Sequence, residues 1–409
     1  MKILIIGGGG REHAIAWKIH NDDPKTQIFA IPGNGGMEAI ASCVPLNIND
    51  HQALLGFAIA HDVDLTLVGG EEPLSKGLVD LFASNGLKAF GPTKKAAQIE
   101  SSKRFAKDLM RKYGIPTASY EVFSEYASAL AYVRKQSLPI VIKADGLAAG
   151  KGVVIATDYS MAEAACKTLL ASHLCIVIEE YLRGIEFSLM AFVNGTTIVP
   201  MAIAQDYKRV GNGGKGPNTG GMGAYSPVPS ISRTTVSLSM EKVMKPITIA
   251  LVNEGCPFVG VLYAGFMKTA TGIKVIEFNA RFGDPETEVV LARMKSNLID
   301  TILKVLNHES VSIRNSHDAA VGVVLASKGY PYEYKKGMIV SIPKITNGVC
   351  FHMGTKLADE TYISSGGRVL IVVAKEATLK LARRKAYESI ISVANEHLFY
   401  RDDIALLND

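Results

Sequence analysis

The segment from Val275 to Glu286 carries an acid, an amide and a guanidinium at alternate positions of an apolar strand pattern: Glu277, Asn279 and Arg281. Side chains of a strand alternate between faces, so these three point the same way. A carboxylate beside a carboxamide suits a magnesium ion that also holds a nucleotide's phosphates, because magnesium takes few protein ligands and completes its shell with water and phosphate oxygens. Arg281 then stands where a fixed cation would meet an anion in transfer. A solvated strand face is the plain alternative, since antiparallel sheets commonly leave one face wet. The turn Phe282-Gly283-Asp284-Pro285-Glu286 adds two further acids just past the strand end and tilts the reading toward a site.

A second candidate is the run from Leu138 to Ile155, a β-hairpin in outline whose loop holds Gly146 and Gly150 between Lys143 and Lys151, with Gly152 directly after. It is not a Walker loop, because Lys151 precedes a glycine and a strand instead of a Ser or Thr opening a helix. Backbone N–H groups and lysines on such a hairpin can fold over phosphates. The alternative is an ordinary solvated loop. Lys103 lies in a helical pattern expected over Lys94 to Tyr113, where a lysine is by itself usually solvated. The strand pattern Cys175 to Leu182 leads to Glu186, whose carboxylate is placed to take ribose hydroxyls if adenine lies against that strand. The glycine-rich stretch Gly211 to Gly223, with Lys215, Asn218, Thr219 and Gly220, is expected to be a long loop closing over a ligand.

Stepping N-terminally, short apolar runs alternate with helical stretches: Ile3 to Ile6, Glu12 to Ile19, Ile28 to Ile31, His51 to Ala60, Leu65 to Val68, Leu78 to Ser84, then Ala89 and Phe90. That order predicts βαβα units and a parallel sheet. Ligands of such sheets bind beyond the carboxyl ends of the strands, here marked by Gly7 to Glu12, Pro32 to Gly36 and Gly69 to Pro73. The glycine run does not match the dinucleotide fingerprint, because Glu12 or His13 stands where its third glycine belongs. Gly9, Gly10 and Arg11 still suit a phosphate at a helix N-terminus, or form only a tight turn. From about Ser312, strand-like runs and a helix expected from Ala377 to Leu398 give an α+β cap. His352, a lone histidine among apolar residues, is read as a packing residue rather than a proton carrier.

With 409 residues, 48% hydrophobic and 20% charged, the chain can fill several cores. A net charge of +5 without a long basic block gives no nucleic-acid signature. Five scattered cysteines suit reduced thiols in a cytosolic protein better than disulfides or zinc. No apolar run reaches membrane-spanning length and the apolar start is too short for a signal sequence, so a cytoplasmic protein without membrane contact is expected.

At four long motifs the chain closely resembles the phosphoribosylamine-glycine ligases, or glycinamide ribonucleotide synthetases, of the ATP-grasp superfamily. The motifs are Gly9 to Ala14, Ile142 to Val153, Gly216 to Pro227 and Glu277 to Thr287, and the resemblance covers nearly the full length. It implies an α/β and α+β multidomain protein: a Rossmann-like domain over 1–101, an ATP-grasp domain over 102–312 with a mobile lid over about 121–188, and a small α+β cap over 313–409. It implies ligation of glycine to 5-phosphoribosylamine with cleavage of ATP, in purine biosynthesis, through a glycyl phosphate. Lys103 and Lys143 would hold ATP phosphates, and Ala144 to Gly152, including Gly150 and Lys151, would form the closing lid. Glu179 and the backbone near Tyr181 and Leu182 would take adenine, with Glu186 on the ribose. Glu277 and Asn279 would bind magnesium or manganese, and Arg281 would stabilise the acyl phosphate. Asp284 and the loop Gly9, Gly10, Arg11 and Glu12 would face the sugar phosphate or glycine, with Asn218, Thr219 and Gly220 as further substrate contacts. A monomer is expected. The chain departs from the family pattern at Gly70-Glu71-Glu72, at Tyr207, and in lacking an acid on Val261 to Met267. Rival readings are another ATP-grasp ligase of the biotin-carboxylase or formyl type, a nucleotide-binding regulator without chemistry, and, weakest, a dehydrogenase.

Overall fold

The computed structural model describes residues 1–148 and 152–407. Its first unit holds β1 (Lys2–Gly7), α1 (Gly10–Asp22), β2 (Gln27–Pro32), β3 (Ser42–Cys43), α2 (His51–Ala60), β4 (Leu65–Val68), α3 (Glu71–Ser75), α4 (Leu78–Ser84) and β5 (Ala89–Phe90). The strands form a parallel sheet in the order β3-β2-β1-β4-β5. Ile3 to Ile6 are wholly buried, as expected of a central strand covered on both faces. The chain reverses direction across the sheet between β1 and β4, and the loops opening α1 and α3 lie at that point.

A single helix was expected over Lys94 to Tyr113, but the chain forms α5 (Gln98–Ser101) and α6 (Lys103–Lys112). Ser102 takes an extended conformation and its hydroxyl accepts the Phe105 N–H as an N-cap. Lys103 thereby opens α6 instead of lying mid-helix. Next come β6 (Tyr120–Phe123), α7 (Tyr126–Val133), β7 (Ile140–Ala144), β8 (Val153–Ala156), α8 (Tyr159–Ser172) and β9 (Ile176–Glu180). Their antiparallel sheet runs β6-β9-β7-β8, and α7 and α8 bury a separate small core including Val133, Ile142, Cys166 and Ile178. A unit with its own core can move as a body.

The central segment supplies β10 (Ile185–Asn194), β11 (Thr197–Pro200), β12 (Gln205–Asp206), β13 (Arg209–Gly211), β14 (Lys215–Asn218), β15 (Gly223–Ser226), α9 (Arg233–Ser239), α10 (Lys245–Asn253), β16 (Val259–Thr269) and β17 (Gly272–Asn279). The antiparallel sheet β11-β10-β16-β17 is the floor beneath the lid. The expected structureless loop Gly211 to Gly223 is instead largely the hairpin β13–β14, because glycines at positive φ at 213, 214 and 216 let the chain turn back on itself.

The last part holds α11 (Glu286–Arg293), α12 (Leu298–Leu306), β18 (Ala319–Ser327), β19 (Gly348–His352), β20 (Thr355–Ala358), β21 (Thr361–Ser364), β22 (Arg368–Glu376), α13 (Leu379–Ile391) and β23 (Leu398–Phe399). The helix expected to reach Leu398 ends at Ile391. A turn, in which the Asn395 side chain accepts the His397 N–H, sends Leu398 into a strand beside β18. The cap sheet runs β12-β15-β18-β22-β19, so a boundary at 313 divides the chain but not this sheet. No helix among the described residues is long and apolar enough to cross a membrane.

Candidate active site

One cleft of about 990 Å³ lies where the four sheets converge, and a side chamber of about 150 Å³ continues beneath the lid hairpin. Glu277 and Asn279 both line the two cavities from β17. The Nζ of Lys208 lies 3.3 Å from Glu277 and 3.8 Å from Glu186, and its charge holds Glu277 down at about 2. Burial, together with Glu286, Glu186 and Glu277, pushes neighbouring Asp206 up to about 8 despite Lys208. Arg281 lies past the end of β17 yet faces the same cleft. Its guanidinium is 3.3 Å from Glu71 and 2.9 Å from Glu100, so it is held between two acids and is not a free cation awaiting an anion. Although burial raises it, Glu71 is pulled down to about 2 by Arg281 and Arg11.

The lysines come from different elements. Lys103 donates to the Gly146 carbonyl at 2.8 Å and lines the side chamber, and Lys143 donates to the Ile276 carbonyl at 3.1 Å. Glu179 is buried and forms ion pairs with both Lys107 and Lys143. Glu179 also lines the cleft beside Tyr181 and Leu182, with its carboxylate engaged in holding the two lysines. Tyr181 and Leu182, just after β9, and Glu186 line the cleft with Val141, Val153 and Ile155 of the lid and Met267 of the floor. Gly152 accepts the Ala144 N–H and closes the hairpin. Gly150 and Lys151 lie outside the described residues.

In the expected substrate loop the four residues separate. Arg11 lines the cleft and donates to the Phe282 carbonyl at 3.0 Å. Glu12 is buried away from the cleft, accepts the Gly9 N–H at 2.7 Å and pairs with Arg11 at 2.7 Å, so its carboxylate caps α1 instead of meeting a substrate. Gly9 is the N-cap of α1, and a Cβ there would lie 3.7 Å from Asp284. Gly10 faces another way: a Cβ would come within 2.6 Å of Glu288 and 2.9 Å of Met353, so this glycine allows α1 to dock on α11 and the cap. Gly10→Ala is expected to lower stability by about 1–3 kcal/mol through overpacking, measured by urea unfolding. An unchanged midpoint would put Gly10 back on the ligand face.

Asp284 is not free either. It pairs with Arg368 of β22 at 2.8 Å, and Arg368 also donates to the Gly220 carbonyl at 2.6 Å. The Gly220 N–H is bound by the Tyr330 hydroxyl at 3.0 Å, and the Thr219 hydroxyl donates to the Lys208 carbonyl at 2.9 Å. Asn218, Thr219 and Gly220 therefore do line the cleft, as a strut between floor and cap. Sequence reading missed Glu71, Glu100, Lys208, Arg368 and Tyr330 as site residues. Lys208 follows Tyr207 and Glu71 lies in Gly70-Glu71-Glu72, both departures from the family pattern, but Glu100, Tyr330 and Arg368 carry no local signal.

Beneath this wall Glu288 is wholly buried, and neither of its carboxylate oxygens has a hydrogen-bond partner among the described residues. Burial first, then Asp284, push its pKa well above the carboxylate range, against Arg368 and Arg11. A raised folded value means that the group's contribution to stability is full below its unfolded pKa of about 4.3 and is lost as pH rises, at up to about 1.4 kcal/mol per pH unit. Glu288→Gln should therefore match the wild type near pH 4.5 and become progressively more stable than it toward pH 8 in urea unfolding. Curves that stay parallel across pH would sink the assignment. The histidine reading holds in geometry: His352 is buried, its backbone N–H bound by His13 Nδ1 at 2.9 Å and its ring by the Thr355 hydroxyl at 2.7 Å. Burial lowers it to about 4.

The donor set permits a test of metal fit. Among the described residues no group of three or more His, Cys, Asp or Glu side chains could hold an ion. An ionised Glu277 beside Asn279, in a cleft with lysines for phosphates, fits a hard cation that shares its shell with phosphate oxygens, such as magnesium or manganese.

A parallel α/β unit, an antiparallel floor with an acid-amide row and a lysine-bearing lid with its own core define an ATP-grasp ligase. Family models match at residues 1–100 (N domain), 101–287 (ATP-grasp (A) domain) and 320–407 (C domain), and the chain belongs to the phosphoribosylglycinamide synthetase family. It is 48% identical to the phosphoribosylamine-glycine ligase of Halalkalibacterium halodurans, over 99% of this chain and 96% of that one. A Streptococcus pneumoniae enzyme of the same name is 46% identical over 99% of each chain. The crystal structure of the Thermotoga maritima phosphoribosylamine-glycine ligase matches with a TM-score of 0.86 and 34% identity, covering 99% of this chain and 100% of that one. A Campylobacter jejuni biotin carboxylase shares the fold at a TM-score of 0.75 and 14% identity, covering 99% of this chain and 94% of the other.

Proposed function

We propose that this chain joins glycine to 5-phosphoribosylamine, cleaving ATP to ADP and phosphate and yielding glycinamide ribonucleotide for purine synthesis. The observation that carries the reading is the convergence of Lys103, Lys143, Glu277, Asn279, Arg281 and Arg11 on connected cavities, in a chain 48% identical to a ligase of that name. A glycine carboxylate oxygen bonds to the γ-phosphorus as that phosphorus separates from the β–γ bridging oxygen, releasing ADP. The phosphoribosylamine nitrogen then bonds to the acyl carbon, the carbon-oxygen bond to phosphate breaks, and the nitrogen loses a proton.

Neither step needs a protein nucleophile; both need reactants held in line and charge neutralised. Lys103 and Lys143 bind and orient phosphates at the lid. Tyr181 and Leu182 border the adenine, and Glu186 takes the ribose. Glu277 and Asn279 would hold magnesium or manganese, which when bound neutralises phosphate oxygens. Arg281, fixed in orientation by Glu71 and Glu100, presents guanidinium N–H donors, rather than a net charge, to the acyl phosphate, and Arg11 with the Asp284–Arg368 pair faces the sugar phosphate or glycine. Domains over 1–101, 102–312 and 313–409, a lid over about 121–188, a monomer and a cytoplasmic setting complete the reading. Five free cysteines are consistent with that setting. The test is ADP release with each substrate omitted in turn. Release that requires both glycine and phosphoribosylamine supports the proposal, whereas release with bicarbonate or formate in their place overturns it.

A further inference from the structure

Lys107, on α6, belongs to no motif singled out in the sequence and is almost wholly buried. Its ammonium pairs with Glu179 of β9, on the other side of which stands Lys143 of β7. Lys107 also donates to the Thr117 hydroxyl at 2.8 Å, which itself donates to the Val275 carbonyl at 2.8 Å and so ties the group to the strand bearing Glu277. Lys107 itself lines the side chamber, but these partners fix its ammonium on Glu179 and Thr117. Lys143 has Glu179 and the Ile276 carbonyl and lines both cavities.

Two buried ammonium groups share one buried carboxylate. A carboxylate facing Lys143 alone would cancel its charge, and a neutral pair attracts a phosphate weakly. Divided between two lysines, it leaves the cluster one positive charge in surplus. In a poorly screened interior that surplus is costly until an anion arrives, and this makes anion binding favourable. Burial lowers the Lys107 ammonium to about 8 against the pull of Glu179, and Lys143 adds to the lowering.

We infer that Lys107 is a positioning residue for phosphate recognition: by sharing Glu179 it keeps Lys143 from being neutralised and leaves the lid one net positive charge for the nucleotide's phosphates. The inference rests on reading the cleft as an adenine-nucleotide site and assigns a role to a residue that need not touch the nucleotide.

Charge arithmetic supplies the test. The wild-type cluster is +1, Lys107→Met makes it 0, and Lys107→Met with Glu179→Gln returns it to +1 with Lys143 as the lone charge. Calorimetric titration with ADP and with adenosine, in the presence of a metal chelator, reads the result on each protein. Lys107→Met should weaken ADP about tenfold or more, the size of one poorly screened charge contact, and leave adenosine unchanged. The double variant should recover ADP binding to within about fivefold of wild type, and Lys107→Arg should resemble wild type. Equal losses of ADP and adenosine binding, or a double variant still weakened more than about fivefold, would overturn the inference in favour of a packing role. If Lys107→Met does not fold, the double variant decides by the same criterion. A wild-type protein that binds adenosine or ADP not at all overturns the nucleotide-site reading instead, a separable outcome.

Discussion

Glu277→Gln should fold as the wild type does and lose turnover by roughly 10²–10³-fold, the scale of removing one fixed electrostatic partner of a transferring group. The amide keeps the side chain's size, and Lys208 keeps the Glu186 carboxylate at 3.8 Å, so its charge is not left without a counter-ion. What is lost is the charge. In the wild type Lys208 holds Glu277 at about 2, so the acid is ionised throughout the physiological range. The stability it contributes is present above the unfolded value of about 4.3 and fades as pH falls toward 2. The variant should therefore be slightly less stable at neutral pH, with the difference shrinking on acidification. ADP release across a magnesium titration, beside thermal unfolding, separates the effects. Wild-type turnover at low magnesium would rule Glu277 out as a metal partner.

Arg281→Met should have the largest structural effect. Glu71 and Glu100 both face the guanidinium; the Glu100 side chain is nearly buried, whereas that of Glu71 is one-third exposed (34%). Removing the shared cation leaves the nearly buried Glu100 with only the Ala280 N–H, while Glu71 keeps Arg11 nearby and contact with solvent, so most of the loss comes from Glu100. Breaking a buried ion pair destabilises by about 3–5 kcal/mol, and solvent screening of Glu71 brings the expected loss to about 2–3 kcal/mol. In the wild type Glu71 sits at about 2, whereas burial already raises Glu100 against the pull of Arg281. Without the cation both acids should shift upward, so the variant should lose further stability as pH rises from about 5 to 8. Urea unfolding at several pH values measures this. A loss below about 1 kcal/mol, or one independent of pH, would show that the acids do not depend on Arg281. Turnover should fall with it, since the guanidinium that lines the cleft is removed.

Glu71 explains the departure Gly70-Glu71-Glu72 in physical terms. It opens α3 and reaches the floor's arginine, so the first domain locks a residue of the second. The Tyr207 departure is absorbed similarly: its hydroxyl accepts the Ala405 N–H at 2.9 Å and its ring lies against Arg401, docking the C-terminal segment beside Lys208. The acid missing from Val261 to Met267 leaves Gly265 opposite Glu277, so the neighbouring strand adds no ligand there.

Local order was legible because it depends on neighbours in sequence. The parallel first sheet, the lid hairpin and the alternation on β17 follow from apolar period and glycine position. The split at Ser102, the hairpin within Gly211 to Gly223 and the short α13 were misread where a cap or turn overrode the broader pattern. Glu12, Gly10 and Glu179 show the other limit. A motif marks residues as fixed, but not whether the fixed partner is a ligand or the protein itself.

The row Glu277, Asn279 and Arg281 was therefore determined by sequence as chemistry on one stretch of chain. Only the tertiary structure decided what each group meets: Lys208 on Glu277, Glu71 and Glu100 on Arg281, Arg368 on Asp284. These partners come from strands and helices far apart along the chain. The reason is that periodicity encodes which way a side chain points from its own backbone, whereas charge pairing depends on distances set when separate sheets pack.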